Sequence, residues 1–184
     1  MYNSGKLSST KLHAYWRLIR ADKPIGIYLL LWPCVSALWI ASAGIPDLHI
    51  LAVFVLGVVV MRSAGCVIND YADRNVDGLV ERSSTRPLVT GEVTEKEALS
   101  IFFILLSFAL ILVLTLTWQT VFMSVGGLTL AIIYPFMKRY TQLPQVVLGA
   151  AFSWSIPMAF VATGQSISWI VWTLYFANLT WTVA

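Results

Sequence analysis

Six apolar runs take up most of this 184-residue chain, at residues 24–43, 48–68, 98–117, 121–137, 144–162 and 167–184. Each is close to the roughly 20 residues a helix needs to cross the hydrocarbon core of a bilayer. Inside lipid a backbone must satisfy its own hydrogen bonds, so runs of this kind predict helices. The chain therefore reads as an all-α integral membrane protein, a helical bundle with six spans. Composition agrees: 58% of the residues are hydrophobic, 11% are charged, and the mean hydropathy is +0.78. A soluble domain carries about a quarter charged residues, so that class is excluded. Pro24 suits the first turn of the first span. The 44–47 segment, Gly-Ile-Pro-Asp, is a turn signal, and Gly126, Gly127 and Pro135 mark the fourth run as kinked or closely packed.

Charge sets the topology. With residues 1–23 cytoplasmic and six crossings, all twelve Lys and Arg fall on or toward one side. The opposite turns, at 44–47, 118–119 and 164–165, carry none, which is the positive-inside pattern. Residues 1–23 are polar and basic, with no apolar region ending in a cleavage site. Within them Leu12, Tyr15, Trp16 and Ile19 share a helical stripe, which suits either a helix in the headgroup layer or a basic flank to the first span. Thr94 and Glu97 have the spacing of a capping box.

The polar chemistry concentrates in one stretch, Asn69-Asp70-Tyr71-Ala72-Asp73-Arg74-Asn75-Val76-Asp77, with Arg82 and Arg86 following. If the second span continues as a helix, Asn69, Asp73 and Asp77 are successive i, i+4 neighbours, and Asp70 lies three before Asp73. A charged group at mid-membrane depth costs about 2.5–3.5 kcal/mol on the insertion scale, so a hard cation with oxygen ligands is the natural occupant of such a cluster. The bland alternative is a solvated helix end. Acids beside arginines make up the equipment of a diphosphate site. Arg62 sits two turns before Asn69 and is a functional-site candidate by its depth, against simple snorkelling. Tyr134 and Lys138 are i, i+4, and with Arg139 they form either a phosphate contact or a topogenic basic pair. Charge distribution brings this segment to the same membrane face as the acids.

Other chemistries find no support. Cys34 and Cys66 lie in apolar runs and read as small buried residues, and His13 and His49 stand alone. No serine–histidine–acid set, phosphate-binding loop or dinucleotide fingerprint is present, and neither nucleic acid nor a protein partner is indicated. A transporter with a cation site would distribute its acids along a midplane path, whereas these cluster at one face.

The 62–74 segment, Arg-Ser-Ala-Gly-Cys-Val-Ile-Asn-Asp-Tyr-Ala-Asp-Arg, resembles the first aspartate motif of the UbiA family of intramembrane prenyltransferases. Asp22-Lys23-Pro24-Ile25-Gly26, Leu30-Leu31-Trp32-Pro33 and Tyr134-Pro135-Phe136-Met137-Lys138-Arg139 with Leu143-Pro144-Gln145 resemble its 4-hydroxybenzoate polyprenyltransferase branch. The similarity runs from about Leu12 to Ala184. It implies a fold of about nine spans, with residues 24–184 an incomplete domain of that type. It also implies Mg2+ as cofactor, a polyprenyl diphosphate donor, and 4-hydroxybenzoate alkylated ortho to its hydroxyl, in ubiquinone biosynthesis. Asp73 and Asp77 are the expected catalytic residues, and Asp70, Asp73 and Asp77 the expected metal carboxylates. Asn69, Arg62, Arg82, Arg86, Tyr134, Lys138 and Arg139 are the expected substrate contacts, Arg62 or Arg139 serving the acceptor carboxylate. The implied setting is a bacterial inner membrane with the active-site loops cytoplasmic. A family member with another acceptor, such as a naphthoate or a haem, is the alternative. The family's second aspartate motif is not reached by Ala184, so the chain alone is expected to be an inactive N-terminal fragment.

Overall fold

The computed structural model describes residues 4–77, 81, 83–137 and 140–184, except for the side chains of residues 4–9, Asn75 and Val76. Among them are eight helices and no strand: α1 (Ser4–Leu18), α2 (Ile25–Ala41), α3 (Leu48–Asp77), α4 (Glu95–Leu114), α5 (Trp118–Met137), α6 (Pro144–Ser153), α7 (Ser155–Ala162) and α8 (Trp169–Val183). Every apolar run has become helix. α3, α4, α5 and the α6–α7 pair are long and apolar enough to cross a membrane, while α2 is a shorter apolar helix. Phe103, Ile104, Phe108, Leu110 and Ile111 of α4 are exposed, as a lipid-facing surface requires.

Two apolar clusters order the bundle. In one, Cys34, Ala37, Leu38 and Ala41 of α2 meet Ile156, Ala159, Phe160 and Ala162 of α7, with Phe54 and Val58 of α3. The alanines let the backbones approach, which is how helices associate when lipid removes the hydrophobic drive. The other cluster lies at the opposite end, where Ala14 and Leu18 of α1 pack on Ala64 and Val67 of α3, Val93, and Ala98 and Phe102 of α4.

The fifth apolar run is broken at Trp154, and the cause is local. Pro157 has no N–H for the carbonyl four residues earlier, and the Trp154 amide turns to Ala151. α8 repairs the break at one carbonyl and braces it at a side chain: the Tyr175 hydroxyl donates to the Ala150 carbonyl at 3.2 Å, and Asn178 Nδ2 donates to Ser153 Oγ at 2.9 Å. Such side-chain repair is what makes interrupted helices tolerable in lipid. The Trp154 ring lies against Gly126 and Gly127 of α5, where any Cβ would collide with it, and its Nε1 donates to the Met123 carbonyl. Close packing, rather than a kink, therefore explains that glycine pair.

α1 turns part of its apolar stripe outward. Leu12 and Trp16 are 71% and 54% exposed, and the buried face is Ala14 and Leu18. Its cations turn toward protein acids. Lys11 and Tyr15 reach Glu97, and Arg17 reaches Glu92. Thr94 and Glu97 form the complete expected capping box, so Glu97 both caps α4 and receives α1.

Candidate active site

α3 is unbroken through Asp77, so the acidic motif lies on a helix end instead of a loop. At about 100° per residue, Arg62, Asn69, Asp70, Asp73 and Asp77 fall within one stripe roughly 100° wide. Asn69 and Asp73 are half-buried, and Asp77 is 8% exposed. The Ser83 hydroxyl donates to the Asp77 carbonyl at 2.9 Å, closing the helix end after the ladder's last acid.

Two arginines from outside α3 meet these acids. Asp70 is 2% exposed, and Arg20 Nη2 reaches its Oδ1 at 3.2 Å and its Oδ2 at 3.1 Å. Arg86 Nη1 lies 3.0 Å from Asp70 Oδ1 and also bonds Asp77 Oδ2. Arg74 points elsewhere: its guanidinium stacks on Tyr71 at 4.2 Å and pairs with Glu95 at 3.0 Å. Arg62 Nη1 donates to Cys66 Sγ at 2.8 Å, and its guanidinium lies directly against Gly26 of α2.

The donor types are those a magnesium ion takes. An amide oxygen and two carboxylates, from Asn69, Asp73 and Asp77, are hard ligands on one face. They are too few to enclose it, as suits a metal that keeps waters and substrate phosphates. Among the described residues, no three His, Cys, Asp or Glu side chains gather as a complete metal set. Of the other expected contacts, Tyr134 is half-buried near the end of α5, while Arg82, Lys138 and Arg139 lie outside the described residues.

Two turns up α3 from Asn69, about 12 Å along the axis, an apolar cavity of about 300 Å³ opens at Met61. Val53, Phe54, Leu106, Leu128 and Trp154 are among its lining residues. One helix thus carries an acidic end and an oily wall.

Sequence reasoning missed three participants. Arg20 reads as one of several basic flank residues, Gly26 only as a position in the block that opens the first span, and Glu92 as loop. Only the fold brings their partners near. Outside the membrane, the hydrogen bond from Arg17, then that from Thr90, holds the Glu92 carboxyl below its ordinary range. The Glu97 carboxylate raises the Lys11 ammonium above its own.

The profile of the UbiA prenyltransferase family matches residues 30–184. Proteins named 4-hydroxybenzoate octaprenyltransferase from Pseudoalteromonas atlantica, Cronobacter sakazakii and Klebsiella pneumoniae are 59%, 61% and 60% identical over 97% of this chain. The chain spans 62%, 61% and 62% of the length of those relatives. Among solved structures, a digeranylgeranylglyceryl phosphate synthase superposes with a TM-score of 0.78 at 23% identity, covering 94% of this chain and 60% of that one. A UbiA homologue from Archaeoglobus fulgidus bound to GPP and Mg2+ gives 0.75 at 20% identity, covering 91% and 60%. An apo UbiA homologue from Aeropyrum pernix gives 0.74 at 26% identity, covering 86% and 60%.

Proposed function

The chain belongs to the UbiA prenyltransferase family, and on that footing we propose that the full-length protein transfers a polyprenyl group from its diphosphate to the ring carbon ortho to the hydroxyl of 4-hydroxybenzoate. The observation that carries the reading is the Asn69, Asp73, Asp77 ladder on an unbroken α3, with Arg86 on its last acid and an oily cavity two turns away. The names of relatives near 60% identity support the acceptor, and the Archaeoglobus structure with GPP and Mg2+ supports the donor class and the metal.

Asn69, Asp73 and Asp77 would hold Mg2+. Bound there, the ion neutralises charge on the departing diphosphate. Arg86, with Arg82, Tyr134 and Lys138, supplies further donors to the phosphate oxygens. Charge-assisted bonds of that kind stabilise a leaving group as its bond to carbon breaks. The cavity walled by Val53, Phe54, Leu106 and Trp154 receives part of the isoprenoid tail and keeps water from the allylic cation. Arg62 faces the acceptor carboxylate from the same stripe. As the new carbon–carbon bond forms, the ring carbon gives up its proton and the phenol recovers its aromaticity. The basic N-terminal segment and the acidic end of α3 face the cytoplasm of a bacterial inner membrane, following the charge asymmetry.

The test is Asp73→Ala and Asp77→Ala in the full-length protein, assayed for transfer at limiting Mg2+. Both should abolish product while leaving membrane insertion intact, since each deletes a charge from a helix end. Near wild-type transfer by both would sink the assignment.

A further inference from the structure

We propose that Asp70 is a positioning residue: it anchors an arginine pair and acts through Arg86 on the donor diphosphate, without holding metal itself. The inference deepens the reading above and rests on it.

Asp70 is the most enclosed acid of the motif, its side chain only 3% exposed, and both its oxygens are committed to guanidinium groups. A carboxylate between two fixed cations is a poor site for a third, because like charges at this range repel strongly. Asp70 and Asp77 are seven residues apart, within about 20° of each other around the helix. Arg86 Nη1 bridges them, touching Asp70 Oδ1 and Asp77 Oδ2. Arg86 therefore stands beside the ladder because Asp70 holds it from behind.

The backbone supplies independent support. Arg20 closes α1 with φ +58°, its amide bonding Arg17 and the Ala21 amide bonding Trp16. That is the left-handed cap position at which glycine is favoured, and a side chain there costs about 1–2 kcal/mol. An arginine held at such a position is consistent with its side chain being needed where it points, on Asp70. The end of α1, the end of α3 and the loop carrying Arg86 thus meet on one carboxylate.

The experiment is calorimetric binding of inorganic diphosphate to the full-length detergent-solubilised protein, over a series of Mg2+ concentrations and without turnover. Asp70→Asn should weaken diphosphate about tenfold, the loss expected when a charge-assisted contact is misplaced. The Mg2+ concentration for half-maximal binding should stay within about twofold of wild type. Arg86→Gln should weaken diphosphate comparably, and adding Asp70→Asn to it should cost no more than about a further twofold, because the two act as one unit. Should Asp70→Asn not fold, Asp70→Asn with Arg20→Gln removes one of the stranded cations and is held to the same criteria. A Mg2+ requirement raised tenfold or more, with affinity recovered at saturating metal, would make Asp70 a metal ligand and overturn the proposal. Unchanged diphosphate affinity in Asp70→Asn, or an independent further loss in the Arg86→Gln background, would also overturn it. Failure of the wild-type protein to bind diphosphate at any Mg2+ concentration would overturn the diphosphate-site reading itself, and this proposal with it.

Discussion

Replacing Gly26 with alanine isolates the placement of Arg62 from the stability of the fold. A Cβ at Gly26 would lie 2.5 Å from Arg62 Nε, 2.5 Å from Nη2 and 2.9 Å from Cζ. Unstrained contact begins near 3.5 Å, so the guanidinium must retreat by about 1 Å. It is the far end of a flexible side chain, and an off-rotamer adjustment costs about 0.5–1.5 kcal/mol. Alanine in place of glycine within a helix returns up to about 1 kcal/mol, so net stability should change little. Function should not be so tolerant, since a misplacement of about 1 Å at a substrate-positioning group can cost 10²-fold. If Arg62 receives the acceptor carboxylate, Gly26→Ala should lower kcat/KM for 4-hydroxybenzoate by about 10- to 100-fold, with donor binding and Tm near wild type. The assay is acceptor kinetics at saturating donor in the full-length protein, beside a thermal melt. Unchanged acceptor kinetics in a folded variant would refute the reasoning.

Tyr175→Phe should destabilise the α6–α8 contact by roughly 0.6–1.7 kcal/mol, the range for buried side-chain hydrogen bonds in lipid. Its lost bond to the Ala150 carbonyl should be read as a lower denaturation midpoint, with acceptor and donor KM unmoved. The Arg17–Glu92 link has a definite pH sense: Glu92 is depressed in the folded state, so its contribution is present above its unfolded value near 4.5 and is lost as pH falls through the lower folded value. Proteolytic cutting of the N-terminal segment should therefore rise as pH falls through that range, and Glu92→Gln should weaken the dependence, leaving the part carried by the Lys11–Glu97 ion pair. Residues 1–184 expressed alone should insert yet give no prenylated product, and turnover by them would show that the first aspartate motif suffices.

The membrane class, the helical runs and the acidic ladder were legible in the sequence because each is a local pattern. Twenty apolar residues have few alternatives in lipid, and i, i+4 spacing fixes a face once the helix is given. The break at Trp154 was not read from the sequence: Pro157 lies inside the fifth run, but the hydroxyl and amide that brace the break come from α8. The partners of Asp70 were not legible. Arg20 is fifty residues away and Arg86 lies across a helix end, so only tertiary packing distinguishes them from the other cations of a basic face. The same holds for Gly26, whose need for a bare Cα exists only because Arg62 crosses it.

The most direct measurement is product identity. Membranes containing the full-length protein, and no other enzyme of the kind, are given polyprenyl diphosphate, 4-hydroxybenzoate and Mg2+, and the product is examined by mass spectrometry and NMR. The account predicts one prenyl group joined by a carbon–carbon bond ortho to the hydroxyl, one diphosphate released per product, and no product when Mg2+ is chelated. A prenyl ether, a transfer that proceeds without Mg2+, or no transfer to 4-hydroxybenzoate by a folded protein would contradict it.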